Sequence, residues 1–270
     1  MTKRMAISLI QSLGTTLLLV LCGAVGAEAG DTFTSPMHNF SVKIPAFLFG
    51  TEVRKSNDKI HGWVAFTGGA GDMARVGYQR IDRPPATADL DSLARVGFAT
   101  LDSLSIAMLR EKIAGLDSLA RDGLLKTLFM QLLGRDPGDM GEHPRVPDEI
   151  LLGAAAPAFL MISNAQQALL TKYSPRIISR EPMVLDSTLM VFTVAVSPEG
   201  SDSINLATGK HFDVVLGHLV FIRGEFLYNF VVQPNGPAAG LATKAANPED
   251  EMARLDRRLL HELYRSVVFQ

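Results

Sequence analysis

Six histidines lie beyond the first 30 residues: His38, His61, His143, His211, His218 and His261. Histidine is the side chain best placed to move protons or bind a metal near neutral pH. None of the six is three or four positions from another, the spacing that would put two ligands on one helix face. His211 and His218 are seven apart near one strand, an odd separation that sends them to opposite faces. No metal site is expected from them.

Other candidate constellations fail on spacing. Thr67-Gly68-Gly69-Ala70-Gly71-Asp72 is glycine-rich, but it lacks the lysine of a phosphate loop and precedes a strand instead of a helix. It reads as a turn. Asp136, Asp139, Glu142, Asp148 and Glu149 could offer oxygens to calcium, but they lack the alternating positions and glycine bend of a calcium loop. Asn39-Phe40-Ser41 is a glycosylation triplet only in a eukaryotic secretory host. No nucleophile elbow, Walker loop, zinc-protease helix or cysteine pair is present. No catalytic residue, metal or cofactor is expected.

One polar pair remains. A hairpin is expected from Asp213–Ile222 and Glu225–Gln233, turning on Arg223-Gly224. That turn pairs Phe221 with Phe226, and on the other face it sets His218 opposite Asn229. Both faces are otherwise apolar, so the hairpin belongs at the centre of a sheet covered on both sides. A polar pair buried there must be satisfied, by each other or by a helix end, or else serve a ligand in an apolar pocket. His218 and Asn229 are the candidate ligand-binding residues.

The elements that would hold them follow from periodicity. Phe40, Val42 and Ile44 alternate with Ser41 and Lys43, a strand stopped by Pro45. Ile60–Thr67 and Met73–Ile81 form a hairpin across the glycine-rich turn. The period then lengthens. Leu90, Leu93, Leu101, Leu104 and Met108 predict a helix over about Asp89–Ile113, and Leu116 to Leu132 a second, ended by Gly134. Leu-Asp-Ser-Leu recurs at Leu90, Leu101 and Leu116, at spacings too short and irregular for a solenoid.

Arg135–Glu149 reads as an exposed loop, and a buried helix is expected from near Pro157 to Tyr173. Arg176–Val184 and Leu189–Ser197 form another hairpin across Leu185-Asp186-Ser187-Thr188. At the end, Asn247 caps a helix with Pro248 first, acids at Glu249–Glu251, and Arg257, Arg258, His261 and Arg265 towards its close, an order that suits the helix dipole. Met252, Leu255, Leu259, Leu263 and Val267 form its core stripe. Together these elements predict an α/β protein of the α+β type. An antiparallel sheet is covered by helices on both faces, with a helical insertion at about residues 85–149.

The N-terminus reads as an address. Lys3 and Arg4 precede an uncharged stretch from Met5 to Ala27 centred on Leu17–Leu21, and small residues follow, so residues 1–29 are expected to be a signal peptide cleaved after Ala29. An uncleaved membrane anchor is the alternative, against which the polar Gln11, Ser12, Thr15 and Thr16 count. Lipidation of Cys22 is a third, and Leu21 is too large for it. Removing residues 1–29 takes 26 basic and 28 acidic residues to 24 and 27, a formal charge of -3, and removes the single cysteine. A periplasmic or secreted protein of 241 residues, folded as one domain over 30–270 without disulfides, is expected. Its charge offers no footprint for nucleic acid.

Phe40-Ser41-Val42-Lys43-Ile44-Pro45, the run Gly217-His218-Leu219-Val220-Phe221-Ile222-Arg223-Gly224-Glu225-Phe226-Leu227-Tyr228, and the C-terminal helix together resemble the PsbP-like superfamily. The chain departs from it at Ala46-Phe47, where members continue through glycine and tryptophan. The resemblance implies an antiparallel sheet flanked by helices and a non-catalytic accessory role. The expected function is an envelope protein that binds a protein partner or stabilises an assembly. The alternatives are a carrier of a small apolar or lipidic ligand, held between the sheet and the helices around Leu116–Leu133 and Phe159–Leu170, and an enzyme of unidentified class.

Overall fold

The computed structural model describes residues 25–27, 32–35, 40–48, 51–57, 61–68, 72–81, 89–134, 146–171, 176–197, 214–235 and 237–270. Its main sheet is antiparallel and eight-stranded. The strands are β1 (Val25–Ala27), β4 (Thr51–Asn57), β5 (His61–Thr67), β6 (Met73–Arg80), β10 (Phe226–Gln233), β9 (Val214–Arg223), β8 (Thr188–Ser197) and β7 (Arg176–Leu185), in that order across the sheet. A second sheet of three strands joins β11 (Val267–Phe269), β3 (Phe40–Lys43) and β2 (Thr32–Thr34). The fold is α+β.

The two faces of the main sheet carry separate cores. On one face Phe66, Val76, Phe221, Tyr228 and Phe230 pack under the small sheet and the last helix, and Phe40 meets Tyr78 edge to face at 5.8 Å. On the other, Val191, Val220, Ile222 and Leu227 pack under a helical layer. The β9–β10 hairpin is therefore covered on both sides, as its doubly apolar pattern requires.

The helical layer consists of α1 (Leu90–Thr100), α2 (Ser103–Ala114), α3 (Ser118–Leu133) and α4 (Asp148–Thr171). The single helix expected over 89–113 is broken in two. Asp102 accepts a hydrogen bond from the Ser105 N–H at 2.6 Å and starts a new helix there. Asp89 and Asp117 cap α1 and α3 in the same way. A carboxylate capping a free N–H ends one helix and starts the next. Two of the three Leu-Asp-Ser-Leu tetrads are therefore helix starts, with Asp at the cap and Ser in the first turn.

The helix expected from Pro157 begins nine residues earlier, and Pro157 lies inside it. Residues on both sides of the proline are fully buried, among them Leu151, Ala154, Ala155 and Ala158, and that burial carries the helix through the missing N–H. Gly97 of α1 sits directly on this point. A Cβ at Gly97 would lie 2.8 Å from Pro157 N and 3.1 Å from Ala156 Cβ.

Arg121, wholly buried, ties the helical layer together. Its guanidinium donates to the carbonyls of Ile113 at 2.8 Å, Leu116 at 3.1 Å and Val146 at 3.1 Å, and to Asp148 Oδ1 at 2.5 Å. One side chain thus closes the end of α2 and the starts of α3 and α4.

Beyond the main sheet lie α5 (Pro237–Ala242) and α6 (Pro248–Arg265). Val267, expected in the stripe of the last helix, instead starts β11 and pairs with Val42. The short strands β1, β2 and β11 and the polar β4 carry no alternation that the sequence could show. β1 precedes Ala29, so the expected cut would take this strand from the sheet edge. Ala29 and residues 1–24 lie outside the described residues, as do His38, His143, His211 and most of the loop expected over 135–149.

Candidate functional site

The turn of the β9–β10 hairpin is Gly224-Glu225, with Gly224 at φ 61°, and not Arg223-Gly224. Glycine at the first central position is the requirement of a type II′ turn. The cross-strand partners move by two as a result. Phe221 faces Tyr228, His218 faces Val231, and Asn229 faces Val220. A shift of two preserves the face, so His218 and Asn229 remain on one side as diagonal neighbours.

That side faces α4. Thr193 of β8 is directly opposite His218, and its hydroxyl bonds Gln166 Oε1 of α4 at 3.0 Å. The seam from Gln166 through Thr193 to His218 is buried, Asn229 at its end is half-buried, and Ser163 lies one helical turn before Gln166. His218 Nε2, Asn229 Oδ1, Gln166 Nε2 and Ser163 Oγ have no full hydrogen bond in the structure. Burial pushes the His218 pKa down to about 4; Asn229 draws it partly back, and Arg75 adds to the fall. His218 is thus a neutral imidazole at physiological pH. Arg75 itself stacks over Trp63, 5.1 Å from the ring centroid, further along the same face.

A second buried titratable group lies on the opposite face. Asp256 of α6 is fully buried, neither carboxylate oxygen has a partner, and burial raises its pKa to about 8. It was not legible in the sequence, because the stripe of apolar residues in α6 skips it.

The open feature is elsewhere. α5 and α6 enclose a cleft of about 390 Å³, with Ala238, Leu241, Ala242 and Leu255 among its apolar walls and Arg254 and Arg258 at its rim. A second hollow of about 430 Å³ continues from it along α6, bounded by Arg254, Arg257, Arg258 and His261. Leu241 is 72% exposed. Arg257 pairs with Glu181 of β7 and stacks over Phe192 at 4.9 Å, while Arg254 pairs with Glu251 at 2.7 Å. Among the described residues, Arg258 and Arg265 make no ion pair, and no group of three or more His, Cys, Asp or Glu could hold a metal ion.

No family model and no curated protein matches the chain. Among solved structures a likeness is found. It is to cyanobacterial PsbP (CyanoP) from Synechocystis sp. PCC 6803. The likeness spans 92% of this chain and 97% of that one, at 9% identity and a TM-score of 0.38. The resemblance to PsbP-like proteins read from the sequence therefore has a weak structural counterpart. Among the described residues no helix is long and apolar enough to cross a membrane.

Proposed function

We propose that the chain is an exported, non-catalytic envelope protein that binds a protein partner through the cleft between α5 and α6. The cleft supports this reading because it is an open surface with an apolar floor and a charged rim, the usual anatomy of a protein contact. The two titratable groups with the largest shifts, His218 and Asp256, are sealed in the cores, where a substrate would not reach them.

A photo-crosslinking residue at Leu241, in the chain expressed in its own host, tests the reading. The expected result is a protein adduct at Leu241 and none at Leu119, an exposed leucine on the helical layer across the sheet. No protein adduct at Leu241 overturns it. So does turnover of an ester, phosphate or peptide substrate that a single substitution abolishes. For export, the expected N-terminus of the secreted product is Gly30.

The carrier reading has one observation in its favour, the unpartnered polar atoms of the seam between α4 and the sheet. A small molecule released in native mass spectrometry, and lost in His218→Leu with Asn229→Leu, would support it. The interface itself is filled by Leu124, Leu128, Phe159 and Ile162, all buried.

A further inference from the structure

We infer that the occupant of the α5–α6 cleft is an acidic, amphipathic segment of a protein partner; this rests on the docking role proposed above. The observation is a basic stripe on α6. Arg254, Arg257, Arg258, His261 and Arg265 recur at three- and four-residue steps, so they share one face opposite the buried Met252, Leu259 and Leu263.

Helix polarity, the reason read from the sequence, accounts for only the end of this stripe. The dipole favours cations only within about the last turn, which covers Arg265. Arg254, Arg257 and Arg258 stand in the middle of the helix. The whole chain carries a formal charge of -2, so the stripe is not a local sample of a basic protein either.

The fold neutralises only part of it. Glu251 and Glu181 engage Arg254 and Arg257, whereas Arg258 and Arg265 are left without an ion pair among the described residues. The crowding is felt by His261, whose pKa burial lowers first, with Arg265 and Arg257 lowering it further against Asp186 of the β7–β8 turn. Positive charges held this close together favour an anionic partner.

The same cleft exposes Leu241 and the methyls of Ala238 and Ala245 beside the arginines. A ligand that satisfies both must carry acid groups on one side and apolar groups on the other. From Arg254 to Arg265 the stripe is about 16 Å long, the length of three helical turns. That matches a short protein segment and is too small for the extended basic surface of a nucleic-acid site.

The test is to map the adduct formed from Leu241 and to repeat the crosslink in Arg258→Glu with Arg265→Glu. A crosslinked segment rich in Asp and Glu is expected, with adduct yield reduced at least tenfold by the double reversal, retained in Arg258→Lys with Arg265→Lys, and falling as salt rises. If the double reversal lowers the melting temperature, Arg265→Gln alone and the salt titration of the unaltered protein decide. A protein adduct that survives charge reversal, or that maps to a segment without net negative charge, overturns the inference while leaving the docking role intact. An adduct to phospholipid overturns it in favour of a membrane surface. Absence of any protein adduct removes the docking role itself.

Discussion

Asp256 of α6 occupies the space that a side chain at Gly217 of β9 would fill: a Cβ at Gly217 would lie 2.7 Å from Asp256 Cβ. The glycine lets the last helix settle a carboxyl against the sheet, where nothing donates a hydrogen bond to it. Burial without a partner disfavours the charged form, so Asp256 keeps its proton until about pH 8.

This has a defined effect on stability. The folded pKa is above the unfolded one, so the folded state holds a proton that the unfolded state releases. Stability is therefore fullest below about pH 4 and is lost as pH rises to about 8, by roughly 1.4 kcal/mol per pH unit. Asp256→Asn is expected to melt several degrees higher than the unaltered protein at pH 8. At pH 4 the difference shrinks. Melting curves at the two pH values check it, and an equal difference at both would mean that Asp256 does not titrate with folding.

His218 works in the opposite sense. Its folded pKa, about 4, is below its unfolded value of 6.5, so its contribution is present above pH 6.5 and is lost as pH falls to about 4. Between those limits the slopes of His218 and Asp256 cancel, and only the loss between about pH 6.5 and 8 remains. His218→Gln is expected to uncover a decline in stability across the whole range from pH 4 to 8. Urea unfolding at half-unit pH steps would show it, and a variant whose profile parallels the unaltered one would contradict it.

Arg121 predicts a large loss. Removing it leaves three buried or half-buried carbonyls and Asp148 without their donor. Arg121→Met should cost about 2 to 5 kcal/mol in urea unfolding, because each buried carbonyl left without its donor costs about 1 to 3 kcal/mol, while the half-exposed Asp148 regains water. Arg121→Lys should recover little, because an ammonium cannot reproduce the fork that reaches all three carbonyls.

Two glycines predict opposite outcomes. Gly97→Ala gains up to about 1 kcal/mol of helix propensity, but its methyl would stand 2.8 Å from the Pro157 backbone. Overpacking costs about 1 to 3 kcal/mol, so the net effect is destabilising and should be larger in Gly97→Val. Gly240→Ala in α5 meets nothing within 4 Å and should gain stability. If both alanine variants moved melting in the same direction, the close approach of α1 to α4 would be in doubt.

The features legible in the residues alone are local. Alternation in Phe40, Val42 and Ile44, the glycine after Leu133, and the apolar character of both faces of β9 and β10 each follow from the side-chain period of one element. The strand β3, the end of α3 at Gly134 with φ 67°, and a hairpin covered on both sides follow from them. Even the capping role of Asp102 was within reach, since Asp before Ser is a helix-start signal, but the apolar period running through it masked the break.

The remaining features depend on contacts between residues far apart in the chain. Whether a hairpin turns on Arg223-Gly224 or on Gly224-Glu225 cannot be chosen from the turn alone, because both registers bury the same faces. Packing against β6 and β8 selects one, and with it the diagonal placement of His218 and Asn229. A helix period likewise cannot show that Asp256 is buried, because burial there requires a glycine 39 positions away on another element. The α5–α6 cleft is of the same kind. Arg258 was visible in the basic half of a helix, and only the position of α5 beside it made a groove.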